Sequence, residues 1–150
     1  MTDPNIVLMV ADDMGYGDFG LYSEGRVHTP ALDELASQSL RLTQHYAGSP
    51  VCSPSRAALL TGRFPIRTGA VTPQEVLGND RIALDEVTLA DSFKAAGYAT
   101  GMVGKWHNGA LDPRFHPNAR GFDEFAGFRG GWADYYRWNL DRNGSLERSD

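Results

Sequence analysis

Asn5-Ile6-Val7-Leu8-Met9-Val10-Ala11 is an unbroken apolar run that stops abruptly at Asp12-Asp13. A short run with no polar alternation predicts a strand covered on both faces, the pattern of a parallel sheet. A second run, Tyr98 to Val103, is weakened by Gly101 and ends in Gly104-Lys105-Trp106-His107. Between the two, the pattern turns helical. Thr29-Pro30 supplies an N-cap and a first helical residue. Leu32, Leu35, Ala36, Leu40 and Leu42 would be the apolar stripe of a helix reaching about Tyr46. Ser53-Pro54 opens a short helix that Gly62 stops. Thr88 and Asp91 form a capping pair, with Leu89, Phe93 and Ala96 facing inward and Gly97 as the end. Residues 64–84 read as loop, and 108–150 as loop with short elements lining a cleft. Strands alternating with helices predict an α/β fold, a mainly parallel sheet flanked by helices. Ligands of such sheets gather beyond the C-terminal ends of the strands, where both runs deliver charged residues.

The chain has 150 residues, a formal net charge of −5 and ordinary globular composition, with 41% hydrophobic residues. No basic run offers a footprint for phosphates, which argues against a nucleic-acid partner. No apolar stretch approaches the roughly 20 residues that span a bilayer. Met-Thr-Asp-Pro-Asn lacks the basic segment and apolar core of a secretory leader. A cytoplasmic location is expected if Met1 is the true start, and a periplasmic or secreted one otherwise. No internal repeat is present.

Three groups of residues carry chemistry. Asp12 and Asp13 are adjacent carboxylates that repel each other, and burying both requires a cation. Hard oxygen donors suit Ca²⁺ or Mg²⁺; as a bare pair they equally describe an exposed acidic turn. Cys52 is the single cysteine, which excludes an internal disulfide. It lies at or just before a helix N-terminus, where N–H groups favour an anion. A small buried thiol is the plain alternative. Arg56, four residues on, shares a helix face with Cys52, although a surface arginine is the common fate of that residue type. Lys105 and His107 point the same way if the segment is extended, or form a solvated strand end. His28, His45 and His116 show no comparable partners. Trp106, Trp132, Trp138, Tyr135 and Tyr136 would suit either core or a sugar- or aryl-binding wall, and no role is assigned to them.

Cys52-Ser53-Pro54-Ser55-Arg56, continuing to Thr61-Gly62-Arg63, resembles the defining motif of the type I, formylglycine-dependent sulfatases, which include the arylsulfatases. Asp12-Asp13-Met14-Gly15-Tyr16-Gly17-Asp18 is similar to that family's N-terminal metal motif, and Gly104-Lys105-Trp106-His107 to its second motif. The resemblance runs from Asn5 to about Gly131. It implies an alkaline-phosphatase-like fold and hydrolysis of a small-molecule or carbohydrate sulfate ester. It implies conversion of Cys52 to formylglycine by a formylglycine-generating or other sulfatase-modifying enzyme. One hydroxyl of the hydrated aldehyde attacks sulfur, the alcohol leaves, and the second hydroxyl expels sulfate, which divides one hard step into two. It further implies that Asp12, Asp13 and the Cys52-derived group bind a divalent ion, usually Ca²⁺, with Mg²⁺ as an alternative. Arg56 supports the nucleophile, Lys105 contacts a sulfate oxygen, and His107 bonds the diol or the substrate. Asp18 matches no ligand. Asn108 stands where the family usually has leucine.

Family members are several times longer, and their later part supplies an Asp-Asn metal pair, another lysine and the histidine that protonates the leaving group. Neither Asn79-Asp80 nor Asp141-Arg142-Asn143 matches. The expectation is therefore an incomplete fold: residues 1–150 as the N-terminal portion of a sulfatase catalytic domain, inactive or poorly active in isolation. Three other expectations compete with it. They are a phosphonate or phosphate monoester hydrolase of the same superfamily, a non-catalytic anion- or glycan-binding remnant, and an incomplete gene product with no independent role.

Overall fold

The computed structural model describes residues 3–148. The chain divides into two compact units, one ending at Tyr46 and one beginning at Ala47. In the first unit the apolar run at residues 5–11 is extended, but it forms no strand. This corrects the expectation of a buried strand. A strand needs a ladder, and no described segment pairs with this one, so Ile6 to Val10 remain 49% to 82% exposed. Two 3-10 turns follow, Tyr16–Asp18 and Gly20–Tyr22. Helix α1 spans Pro30–Ser37, with Thr29 as N-cap. The Thr29 hydroxyl accepts from the Gly20 N–H (2.7 Å) and donates to Asp33 Oδ1 (3.0 Å), tying the helix start to the turn before it.

The helix stops well short of Tyr46. Ser37 and Ser39 turn their hydroxyls onto the carbonyls of Glu34 (2.7 Å) and Leu35 (2.6 Å). Such local bonds compete with helix continuation. Leu40 and Leu42 therefore lie outside α1 and are exposed.

The second unit holds the core. Helix α2 spans Cys52–Thr61 and closes on Gly62, whose φ of 67° is the left-handed conformation that glycine adopts without a Cβ clash. Its inner face buries Ser53, Pro54 and Ala57. Ala57 packs with Ala70 and Ile82, so the loop at 64–84 contributes core despite having no strand or α-helix. Helix α3 spans Leu89–Ala95, and the predicted capping box closes at Thr88 and Asp91. Its buried residue is Ala90, while Leu89 and Ala96 are exposed and Phe93 is half-buried. The inward face is set by distant chain: the Thr88 hydroxyl donates to the Arg120 carbonyl (2.9 Å).

The sheet has the order β1-β2-β3-β4. Strand β1, Gly101–Lys105, lies parallel to β2, Glu124–Phe128, in the register Gly101↔Glu124 to Lys105↔Phe128. Strands β3, Asn139–Arg142, and β4, Ser145–Arg148, add an antiparallel hairpin. Asn143-Gly144 turns it with positive φ at both residues (50° and 88°), the signature of a tight hairpin turn.

Two corrections follow. The second strand begins three residues later than the apolar run, and it is not covered on both faces, since Val103 is 87% exposed. The stretch 108–150, expected as mostly loop, carries three of the four strands. Immediately after β1, Trp106 is fully buried, and its indole N–H donates to the Phe115 carbonyl (2.9 Å). No helix among the described residues is long and apolar enough to cross a membrane.

Candidate active site

Cys52 is the first residue of α2, after an extended Val51 N-cap (φ −122°, ψ 153°), and is half-buried. Ser53 fixes this helix start by donating to the buried Asp80 carbonyl (2.9 Å). The Asp80 carboxylate accepts the Gly109 N–H (3.1 Å). One buried residue thus ties the Cys52 turn to the chain just past His107. Nothing in the sequence marks Asp80 for this, because the tie spans 27 residues on one side and 29 on the other.

Arg56, one turn along α2, donates from Nη1 to the Lys105 carbonyl at the end of β1 (2.6 Å). The guanidinium therefore links the helix that carries Cys52 to the strand that carries Lys105. His107 is not the next outward residue of an extended strand. Its φ is +54°, and it is buried. The left-handed backbone removes it from the simple alternation with Lys105. Its N–H still bonds to the Arg129 carbonyl (3.0 Å), and Trp106 N–H to that of Phe128 (3.0 Å), so the β1–β2 pairing continues into this segment.

Two loop residues missed in the sequence hold the imidazole. The Pro73 carbonyl lies 3.1 Å from His107 Nε2, which makes Nε2 the protonated nitrogen. Glu75 Oε1 lies 3.7 Å from the same nitrogen and accepts the Gly131 N–H at 2.5 Å. Gly131 closes over the ring: a Cβ there would fall 2.6 Å from His107 Cε1. His107 Nδ1 is buried with no hydrogen-bond partner among the described residues, and so is Asn108 Oδ1.

A cavity of about 370 Å³ opens beside this segment, with Glu75, Arg129, Trp132, Asp134, Arg137 and Asp141 among its lining residues. Asp141 is buried, forms an ion pair with Arg129 Nε (3.0 Å), and accepts from His116 Nε2 (3.3 Å) and Gly144 N–H (2.7 Å). Asn118 N–H donates to His116 Nδ1 (3.2 Å). His116 thus has the acidic partner that the sequence did not show, and both ring nitrogens serve the structure. Asp134 accepts the N–H groups of Tyr136 and Arg137 (both 2.8 Å), which hold its carboxyl below the ordinary range.

Asp12 and Asp13 belong to the first unit, where both are exposed and Asp13 takes a φ of +57°. Asp18 accepts the Gly15 N–H at its carboxylate (2.7 Å). Among the described residues no three or more His, Cys, Asp or Glu side chains form a metal-holding group. Two carboxylates are the right chemistry for a hard cation, yet Ca²⁺ takes about six to eight oxygens. The donor set present is therefore partial.

The sulfatase family model matches residues 4–146. The chain belongs to the sulfatase family. It is 50% identical over 134 residues to N-acetylgalactosamine-6-sulfatase of Sus scrofa, an alignment covering 83% of this chain and 25% of that protein. Arylsulfatase H of Canis lupus familiaris is 46% identical over 136 residues, covering 83% and 24%. The chain thus spans about a quarter of the length of these relatives. The crystal structure of Ps i-CgsB superposes with a TM-score of 0.89 at 35% identity, covering 97% of this chain and 37% of that one. PsFucS1 sulfatase from Pseudoalteromonas gives 0.73 at 31% identity, covering 94% and 34%. The sulfatase-like α/β fold expected from the motifs is the fold observed.

Proposed function

We propose that the protein hydrolyses sulfate esters, with Cys52 as the residue that becomes the nucleophile. The observation that carries this reading is the Arg56 bond to the Lys105 carbonyl. It joins the helix opened by Cys52 to the strand end bearing Lys105 and His107, in a chain of sulfatase ancestry. Formylglycine made from Cys52 by a sulfatase-modifying enzyme supplies the attacking hydroxyl, and a divalent ion, Ca²⁺ or Mg²⁺, supplies Lewis-acid charge. In this reading Asp12 and Asp13 would contribute oxygen donors to that ion, and the Cys52-derived group would be a further ligand. Lys105 brings a point charge to a sulfuryl oxygen as negative charge builds there. The protonated Nε2 of His107 is engaged with Pro73, which leaves the buried Nδ1 as an acceptor for a hydroxyl proton. Residues 1–150 serve as the N-terminal part of the catalytic domain and are inactive alone. The alcohol half of the ester is a sugar, in line with the relative from Sus scrofa named for N-acetylgalactosamine.

The test is mass spectrometry of the Cys52 peptide from the full coding sequence expressed with a modifying enzyme, together with turnover of nitrophenyl sulfate and nitrophenyl phosphonate. Conversion replaces the thiol by an aldehyde, with loss of sulfur and two hydrogens and gain of one oxygen. An unmodified thiol without turnover overturns the reading in favour of a binding remnant. Faster phosphonate turnover overturns the sulfate assignment.

A further inference from the structure

The β3–β4 hairpin is joined to the rest of the sheet by a short ladder. Among the described residues β2 and β3 pair at Ala126↔Arg142 and Gly127↔Asp141, and β4 is exposed along its length. The turn residue Asn143 adds what the ladder lacks. Its N–H donates to the Phe125 carbonyl (3.1 Å). Its Oδ1 accepts from the Phe125 N–H (2.7 Å) and from Asn118 Nδ2 (3.2 Å), and its own Nδ2 donates to Glu124 Oε2 (2.5 Å). Asn118 belongs to the 3-10 turn Pro117–Arg120. One amide side chain therefore clasps the hairpin to β2 and to that turn. The Gly144 N–H is engaged as well, by Asp141 Oδ1 (2.7 Å). Yet Asn-Gly is the pair in which a side-chain amide is most open to attack by the next backbone nitrogen, because glycine has no Cβ to block the approach. In that reaction the Gly144 nitrogen bonds to Asn143 Cγ and the Cγ–Nδ2 bond breaks. The proton lost from Gly144 leaves with the amide nitrogen as ammonia, and a five-membered imide remains. Water then opens the imide at either carbonyl, giving aspartate or isoaspartate. Ring closure requires Cγ to swing onto the Gly144 nitrogen. In the closed hairpin that swing would break all three hydrogen bonds of the amide together.

We propose that Asn143 is a latent modification site, shielded while the hairpin is closed and converted to aspartate or isoaspartate when it opens. The product cannot rebuild the clasp. A carboxylate oxygen stands where the Nδ2 donor was and meets Glu124 Oε2 as a like charge. Isoaspartate also adds a methylene to the backbone of a turn that fits two residues. An opening that ends in conversion therefore leaves the hairpin detached, a one-way record of local unfolding. The reaction consumes only water, so it is independent of the sulfate-ester reading.

The experiment incubates the full chain at mildly alkaline pH, folded and in concentrated urea, and follows the Asn143 peptide by mass spectrometry. Conversion exchanges an amide NH2 for a hydroxyl. It is expected to run at least about tenfold slower in the folded chain than in urea, the protection that closed local structure gives. Glu124→Ala, which removes the acceptor of Nδ2, should raise the folded rate about threefold and leave the urea rate unchanged. Asn143→Asp, the direct product, should raise amide hydrogen exchange across residues 139–148 about tenfold while β1 stays protected. No conversion in urea, or equal rates folded and unfolded, overturns the proposal. So does a folded rate that Glu124→Ala leaves unchanged, or hairpin exchange that Asn143→Asp leaves unchanged. The ratio of folded to unfolded rates needs no variant, and it decides the shielding even where a substitution prevents folding.

Discussion

Two extended apolar segments, residues 5–11 and 101–105, meet different fates. The first has the stronger strand pattern, five consecutive large apolar residues from Ile6 to Val10, yet it forms no ladder and remains exposed. The second is interrupted by Gly101 and Gly104, yet all five of its residues pair with β2. Apart from Ser23, no described residue of the first unit is buried, whereas every buried hydrophobic residue lies in the second. Strand propensity describes how well a side chain suits a pleated, half-covered surface. A segment realises that preference only when another strand and a core are there to receive it.

The contrast can be broken or sharpened experimentally, beginning with catalysis. Cys52→Ala in the full-length, modified protein is expected to cost on the order of 10,000-fold in kcat for nitrophenyl sulfate while the thermal midpoint holds. Residual turnover within tenfold of wild type would separate the second unit from the chemistry assigned to it. Next in size is a pair of truncations compared in the 150-residue chain. Trp106→Ala, at a site with no exposure, should cost about 3–5 kcal/mol. Leu8→Ala, at a site 56% exposed, should stay within about 0.5 kcal/mol. Comparable losses at the two positions, read from urea midpoints, would show that the first segment is packed after all.

Gly131→Ala drives a methyl group into the His107 ring and is expected to cost about 1–3 kcal/mol. It should also shift the imidazole proton resonances, which a distant destabilising change would leave in place. Asn108→Leu removes a fully buried amide whose oxygen has no described partner and should stabilise by about 1 kcal/mol. A lower midpoint would mean that the amide oxygen is satisfied by ordered water.

The smallest effect is electrostatic. Lys94 Nζ lies 2.7 Å from Asp123 Oδ1. Bonding from Lys94 and Thr100 lowers the Asp123 carboxyl from 3.8 to about 2. A depressed carboxyl stabilises the fold above its unfolded value and loses that contribution as pH falls through the folded one. The stability gap between wild type and Asp123→Asn should therefore be full above the ordinary 3.8 and close by about 2. A gap that does not change with pH in urea titrations would leave the Lys94 pair without a stabilising role.

Local chemistry was the legible part of this chain. The Ser53-Pro54 opening and Gly62 stop place α2 within one residue, and the Thr88–Asp91 box marks the start of α3, because caps depend on neighbours three or four positions away. What escaped depends on distance. Ala90 faces inward because residues 120–121 lie against it, and no periodicity within seven residues encodes that. Strand β4 is exposed along its whole length and β3 buries little besides Asp141, so neither shows an apolar alternation. The Asn143-Gly144 turn was the local cue that could have disclosed the hairpin. Of the proposed site, Cys52, Arg56, Lys105 and His107 stand out through the motifs they sit in. Glu75, Pro73 and Asp80 sit in a loop without pattern, and each reaches its partner across 27 or more residues.

The Ile6–Val10 segment also has a colloidal consequence. It combines β-branched side chains, no charge and no proline with backbone groups that no described strand engages, which is the profile of a template for intermolecular cross-β growth. In concentrated solution the 150-residue chain should nucleate fibres from this end, and a lysine at Val7 or Met9 would act as a gatekeeper against them.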